Sequence, residues 1–183
     1  MEKKNVIMNN SKYIQLRLFR NELTPIDSDS RYTNSFITLS NFQENIYKLQ
    51  KVIDFLHQDL IWDGIPTIDE VKERLVFGSV CMLWEFENKV VGWSWLNNEC
   101  ISINWKSEHT ILKSKTEQYG GGAFLSKQNK PEPESGYKFY RYGIENMFKY
   151  FNKEILYLYA DDWNRASSIL CYKIGFTKFN FLK

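Results

Sequence analysis

Histidine and cysteine are scarce in this chain of 183 residues, which holds two of the first and three of the second. Cys81, Cys100 and Cys171 are odd in number, widely spaced and without a Cys-x-x-Cys pair. Neither a disulfide framework nor a structural zinc site is expected from them, and they read as reduced, buried thiols. His57 and His109 are too few for a histidine-rich metal centre, and His57, beside Gln58 and Asp59, reads as a solvated or capping residue. Long apolar runs are missing too. Nothing approaches the ~20 residues that cross a bilayer, and Lys3 and Lys4 are followed by no apolar segment of leader type. The expectation is a cytoplasmic protein without membrane contact. No one charge dominates: 24 Lys and Arg stand against 22 Asp and Glu, a formal net charge of +2. Charge alone names no partner, and nucleic acid is not expected as one. The four prolines and nine glycines gather into no linker, no repeat recurs, and residues 1–183 read as one domain.

The chain is rich in apolar and aromatic side chains, 43% hydrophobic with 16% Phe, Trp and Tyr, which favours a packed domain over disorder. Ile14, Leu16 and Leu18 alternate with the period of a half-buried strand, the first of the chain. A polar, turn-rich stretch follows from Asn21 to Asn34. Ser40-Asn41-Phe42-Gln43 reads as a capping box, with Phe42, Ile46, Leu49, Ile53 and Leu56 at helical spacing behind it for about four turns. Thr67-Ile68-Asp69-Glu70 is a second box, opening a short helix through Val71 and Leu75 that stops at Gly78 and Ser79. The runs from Val80 to Phe86 and from Val90 to Leu96, joined by Glu87-Asn88-Lys89, form the best hairpin signal. The segment from Asn97 to Gln118 is longer than a hairpin needs and contains a candidate strand from Ile101 to Trp105. Tyr119 to Lys127, with glycines at 120, 121 and 122, reads as a strand with a bulge or a close backbone approach. After a polar loop, Tyr140, Ile144, Met147, Phe148 and Phe151 share one helical face.

The end of the chain carries the sharpest pattern. Ile155 to Ala160 is apolar and β-prone, Asp162 is placed to cap a helix, and Gly175 supplies the left-handed residue that stops one. Asn164, Ser167, Gly175 and Phe176 resemble the last conserved segment of the GNAT superfamily of N-acyltransferases, Asn-x-x-(Ala/Ser)-x-x-x-(Tyr/Leu)-x-x-x-Gly-Phe. Cys171 falls where many members carry tyrosine. The order of elements is similar to that superfamily over nearly the whole chain. The resemblance implies an α/β GNAT fold, a mixed central sheet of about six to seven strands flanked by about four helices.

The same resemblance implies an enzyme that moves an acetyl group from acetyl-coenzyme A to a primary amine by direct transfer. Its phosphate loop, (Gln/Arg)-x-x-Gly-x-(Gly/Ala), is matched here only by Gly136, with Pro133 at the basic position and Lys138 at the small one. Glu132 and Glu134 stand close by. The pyrophosphate is expected over the amides of Ser135, Gly136, Tyr137 and Lys138, at a helix start that suits anions. The backbone of Phe124, Leu125 and Ser126 is expected to pair with the pantetheine arm as if it were another strand, and Asn164 to touch the cofactor. Transfer needs a neutral amine, a polarised carbonyl and a proton for the leaving thiolate. At about 100° per residue Cys171 points within ~20° of Asn164 and Tyr172 about 80° away, so Tyr172 does not simply replace the family tyrosine. Tyr172, Cys171 and Glu85 are the candidate catalytic residues, with Cys171 also readable as a small buried hydrophobe. Trp95, Glu108 and His109 are the candidates for the acceptor pocket, although Trp84, Trp93, Trp95 and Trp105 also suit core and cross-strand packing. A small-molecule acceptor such as an amino sugar or nucleotide-linked amine is expected from the aromatic supply. The alternatives are acetylation of a protein N-terminus or lysine, and a degenerate GNAT domain that only binds a partner. A homodimer is compatible with either.

Overall fold

The computed structural model describes residues 13–23, 26–59, 65–97, 100–101, 110–111, 117–161 and 164–182. In chain order the elements are β1 (Tyr13–Phe19), β2 (Tyr32–Ile37), α1 (Phe42–Asp59), α2 (Ile68–Val76), β3 (Ser79–Phe86), β4 (Lys89–Asn97), β5 (Cys100–Ile101), β6 (Thr110–Ile111), β7 (Glu117–Leu125), α3 (Ser135–Phe151), β8 (Ile155–Asp161), α4 (Arg165–Ile174) and β9 (Thr177–Leu182). Seven strands form one sheet in the order β2-β3-β4-β7-β8-β1-β9, and β5 and β6 pair separately. Within the large sheet only β7 and β8 run parallel. The sheet is mixed, as expected, with helices on both faces.

Alternation along the strands divides the core in two. Cys81, Leu83, Trp93 and Trp95 turn toward Leu49, Val52, Ile53 and Leu56 of α1 and Val71 and Leu75 of α2. Met82, Trp84, Val91 and Leu96 turn the other way, toward Phe139, Ile144, Met147 and Phe148 of α3 and Cys171 and Ile174 of α4. No helix among the described residues is long and apolar enough to cross a membrane.

Two features of the topology differ from the expectation. The strand that precedes the two helices is β2, within and just beyond the stretch read as turn-rich. Its centre, Thr33-Asn34-Ser35, is polar because β2 is an edge strand, laddered only to β3 from Tyr32↔Phe86 to Ile37↔Cys81. Its pairing partner, rather than its own pattern, makes it a strand. The alternating Tyr13–Phe19 segment is a strand, but it lies between β8 and β9, antiparallel to both. Leu16 and Leu18 are fully buried there.

Local signals explain most of the remaining boundaries. Thr67 and Glu70 form the expected reciprocal cap, with the Glu70 amide on Thr67 Oγ1 at 3.3 Å and the Thr67 amide on Glu70 Oε2 at 2.7 Å. At α1 the cap sits two residues earlier than read, at Thr38 rather than Ser40. The Thr38 amide donates to Asn41 Oδ1 at 2.8 Å, and a short 3-10 turn over Leu39–Asn41 leads into the helix. The β3–β4 loop is the two-residue turn Glu87-Asn88 with both φ positive, at 48° and 63°, the backbone that matches strand twist in a hairpin. Asn164, not Asp162, caps α4, accepting from the Ser167 amide at 3.2 Å; Asp162 lies outside the described residues. Gly175, at φ 112°, ends α4 as expected.

Candidate active site

The sheet opens between β7 and β8. Their parallel ladder runs from Glu117↔Ile155 to Gly120↔Leu158. Beyond it β8 follows β1 to Asp161, while β7 follows β4 to Leu125. A bulge marks the divergence, with Gly122 and Ala123 together opposite Ser94. The expected bulge in the glycine-rich strand is therefore the device that turns β7 away from β8.

The register at the end of β7 decides which backbone groups face the gap. The Ser126 amide donates to the Val91 carbonyl at 2.9 Å, so Ser126 and, two residues back, Phe124 sit at hydrogen-bonded positions against β4. Gly92↔Leu125 between them is the non-bonded, closer pair. A Cβ on Gly92 would run into the Phe124 carbonyl oxygen, so only glycine permits this approach. The Leu125 amide and carbonyl therefore point away from β4, toward the gap. Of the three residues expected to pair with an extended ligand, Leu125 alone offers both backbone groups there. The Ser126 carbonyl accepts from the Lys130 amide at 3.1 Å, and its hydroxyl from Asn129 Nδ2 at 2.9 Å, which folds the loop back on itself.

The first turn of α3 rests on the end of this strand. A Cβ built on Gly136 would meet nothing nearer than Leu125 Cδ2, at 4.0 Å, so the backbone is open to close approach. The Ser135 amide donates to the Glu132 carbonyl at 3.1 Å and the Lys138 amide to the Glu134 carbonyl at 3.2 Å. This corrects the expected four-amide cradle to two amides, those of Gly136 and Tyr137. The negative charge near the loop is largely neutralised. Glu132 accepts from Lys138 Nζ at 2.9 Å and from the Tyr32 hydroxyl at 3.2 Å, with Arg31 Nη2 at 3.2 Å. Asp29 is bound by Arg31 at 2.7 Å. The hydrogen bond from Lys138 lowers the Glu132 pKa, and that from Arg31 brings the Asp29 carboxyl down to about 2. Glu134 stays exposed as the cap residue of α3.

The buried face of α4 is Ser168, Cys171 and Ile174. Cys171 is 2% exposed, and burial pushes its thiol up to about 12, so it stays protonated at neutral pH and is no nucleophile. Tyr172 is 46% exposed on the outer face of α4. Of the two candidates on α4, Cys171 is closed into the core and Tyr172 is turned to solvent. A hydroxyl that the sequence showed only as part of a helical face stands beside Cys171. Tyr140 of α3 lies against Ser167 and Cys171, with its ring edge-on to Trp84 at 5.0 Å, and burial raises its pKa. It lies one helical turn past Gly136, a spacing readable in the sequence that places both on one face of α3.

Glu85 does not stand as a free base. It is 6% exposed beneath α1, with Ser35 Oγ donating to it at 2.5 Å and Lys48 Nζ at 2.7 Å. Trp95 is not a pocket wall. It is 2% exposed in the core under α1 and α2, 5.7 Å from the Trp93 ring, with the Arg74 guanidinium 4.2 Å from its ring centroid. Residues 102–109 and 112–116, which hold Glu108, His109 and most of the long connection, lie outside the described residues. Among those described, no three His, Cys, Asp or Glu side chains group so as to hold a metal ion.

No family model matches the sequence, and no curated protein matches it. Solved structures match its fold. A functionally unknown conserved protein from Staphylococcus epidermidis is 12% identical, with a TM-score of 0.62 over 93% of this chain and 59% of that one. A tandem GNAT protein from the clavulanic acid biosynthesis pathway is 6% identical, with a TM-score of 0.56 over 93% of this chain and 51% of that one. The chain thus spans between half and three fifths of these two proteins. An aminoglycoside acetyltransferase from an uncultured soil metagenomic sample is 12% identical, with a TM-score of 0.55 over 85% of this chain and 94% of that one. The chain has the GNAT fold.

Proposed function

We propose that this GNAT-fold chain is an acetyl-coenzyme-A-dependent N-acetyltransferase acting on the primary amine of a small molecule. One observation carries the reading: β7 and β8 part beyond Gly120, and the free Leu125 amide and carbonyl line the gap directly under the first turn of α3. A strand edge beside a helix start suits an extended amide-bearing arm that ends in phosphates. Acetyl-coenzyme A, when bound, supplies the activated carbonyl. Leu125 pairs with the arm, while the Gly136 and Tyr137 amides and the α3 dipole hold the pyrophosphate. Lys138 and Arg31 stand nearby, their charges balanced by Glu132 and Asp29.

The proton for the departing thiolate comes from the Tyr140 hydroxyl, protonated at neutral pH as any phenol is, with burial raising its pKa further. Glu85, tied to Lys48 and Ser35, holds the sheet under α1 and is not the base. An amino sugar is the acceptor class we favour. The aminoglycoside acetyltransferase that shares the fold was solved in complex with sisomicin, and the chain's aromatic supply suits stacking on a sugar face.

Titration calorimetry with acetyl-coenzyme A, followed by an acetyl-transfer assay across amino sugars, nucleotide amines and peptide amines, tests the reading. Binding of acetyl-coenzyme A with turnover on an amino sugar is the expected result. Absence of binding would overturn the enzyme reading in favour of a non-catalytic domain. Turnover confined to peptides would overturn the acceptor class.

A further inference from the structure

Arg141 of α3 is 2% exposed, yet its Nη1 has no hydrogen-bond partner. The nearest carboxylate oxygen, Glu145 Oε2, stands 3.6 Å away, beyond hydrogen-bond length. A guanidinium carries five N–H donors and keeps its charge at any physiological pH, so a buried one with donors to spare is costly unless something pairs with it. Beside it opens a cavity of about 170 Å³ lined by Arg20, Leu23, Arg141, Glu145, Phe148 and Lys149. Three cations face one carboxylate there, a local excess of two positive charges. The other charged groups are already engaged: Glu145 is held by Lys149 at 2.7 Å, and Arg20 Nη1 donates to Asn152 Oδ1 at 3.2 Å. Arg141 is paired only with Glu145, at ion-pair rather than hydrogen-bond distance, and its Nη1 is left without an acceptor.

We infer that this cavity is a binding site for a small organic anion, its oxyanion head on Arg141 and its apolar body between Leu23 and Phe148. Size and lining both select that class. An apolar cavity of about 150 Å³ holds a benzene ring, so this one fits a ring or short chain bearing a carboxylate or phosphate. Arg141, Glu145 and Lys149 come to it from α3, and Arg20 from the end of β1. Arg141 and Lys149 follow Gly136 by five and thirteen residues, roughly 7 and 20 Å along the helix at 1.5 Å per residue. Arg20 and Leu23 follow Phe19, which pairs with Ile155, whereas the gap opens past Leu158 toward Asp161, so the site lies at the opposite end of β8 from the gap and its test is independent of the acetyl-transfer reading.

Calorimetry on the full chain with benzoate as probe, and with neutral benzamide and inorganic phosphate at matched ionic strength, decides the matter. Benzoate should bind at least tenfold more tightly than benzamide, and more tightly than phosphate. Arg141→Met, which keeps the apolar stem, should lose at least tenfold in benzoate affinity, and Glu145→Gln, which removes the competing carboxylate, should gain severalfold. Equal binding of benzoate and benzamide, or undiminished affinity in Arg141→Met, would overturn the inference. Phosphate binding as tight as benzoate would remove the role given to Leu23 and Phe148. Should Arg141→Met fail to fold, Lys149→Gln and Glu145→Gln must still move affinity in opposite directions, and a common direction overturns the site.

Discussion

The ion pair between Lys48 on α1 and Glu85 on β3 should behave as a single stabilising unit, and a double-mutant cycle measures it. Glu85 is 6% exposed, and its two donors are Lys48 Nζ at 2.7 Å and Ser35 Oγ at 2.5 Å. Lys48→Met leaves a buried carboxylate with one neutral donor. Removing one partner of a fully buried pair costs about 3 to 5 kcal/mol. The Lys48 side chain is 22% exposed and Ser35 remains, so the expected loss is smaller, about 2 to 3 kcal/mol. Glu85→Leu alone should cost only about 1 kcal/mol, because the freed ammonium can reach water along a flexible stem. The double variant should return to within about 1 kcal/mol of the parent, since two apolar side chains then meet beneath the helix. The coupling would be about 2 kcal/mol, well above the ~0.5 kcal/mol scatter of independent sites. Urea unfolding reads it directly, as a midpoint shift of about 1 to 2 M for Lys48→Met at an ordinary slope for a small protein. Additive single effects, or a Lys48→Met loss under about 0.5 kcal/mol, would refute the pair and return Glu85 to the pool of free carboxylates.

Further outcomes follow from the site and the core. Gly136→Val should weaken acetyl-coenzyme A binding by more than tenfold, about 1.4 kcal/mol, in calorimetry, while leaving the fold intact because the space around the Gly136 backbone is open. Gly92→Ala forces β4 and β7 apart and should cost about 1 to 3 kcal/mol in thermal or urea unfolding. Tyr140→Phe should lower turnover by about 10² with acetyl-coenzyme A affinity unchanged, whereas Tyr172→Phe should do neither. Cys171 sets an alkaline limit. Its folded pKa is raised from 9.0 to about 12, so the thiol's contribution to stability is fully present below pH 9 and is lost as pH rises through 12. Unfolding midpoints should fall across that window, and the native protein should resist alkylation at Cys171 at pH 8.

What the sequence made legible was what one segment determines by itself. The Thr67 and Glu70 cap, the Glu87-Asn88 turn and the Gly175 stop each involve a few neighbouring residues, and each lies where local chemistry places it. The bulge in β7 was legible for the same reason, three glycines in a row. Readings that depended on which segments meet fell short. β2 looked like loop because an edge strand needs little apolar content and borrows its order from β3. Glu85 looked like a free carboxylate because nothing near it in sequence reveals Lys48 or Ser35. Trp95 looked available for a ligand because a buried tryptophan and a pocket tryptophan have the same local signature; only the helices packed over it distinguish them. The four amides of the phosphate loop illustrate the limit within a single turn. Their number depends on whether the preceding carbonyls of Glu132 and Glu134 fold back to meet them, and they do.

The place of β1 bears on how the gap is held open. β8 is laddered to β1 along its whole length, from Phe19↔Ile155 at one end to Tyr13↔Asp161 at the other, and β1 is laddered in turn to β9. β8 therefore needs no partner on its other edge beyond Leu158. On the opposite bank, β7 is fixed to β4 through Gly92↔Leu125 and the Ser126 bond to Val91. Each bank of the gap draws its order from the strand behind it, so the gap costs the sheet only the bonds that β7 and β8 do not make with each other. Those missing bonds are the feature a bound strand-like arm can supply. A chain lacking residues 1–19 removes β1, leaving β8 without an antiparallel neighbour and β9 without any, so β8 and β9 should fail together while β7 stays fixed to β4. Hydrogen exchange gives the reading. Amides of β8 and β9 should lose protection in the truncated chain, while those of β3 and β4, supported by their own hairpin and by α1 and α2, keep most of theirs. Retained protection in β8 would mean that β7 closes onto it along its full length, and the gap would then owe its width to β1 rather than to the bulge.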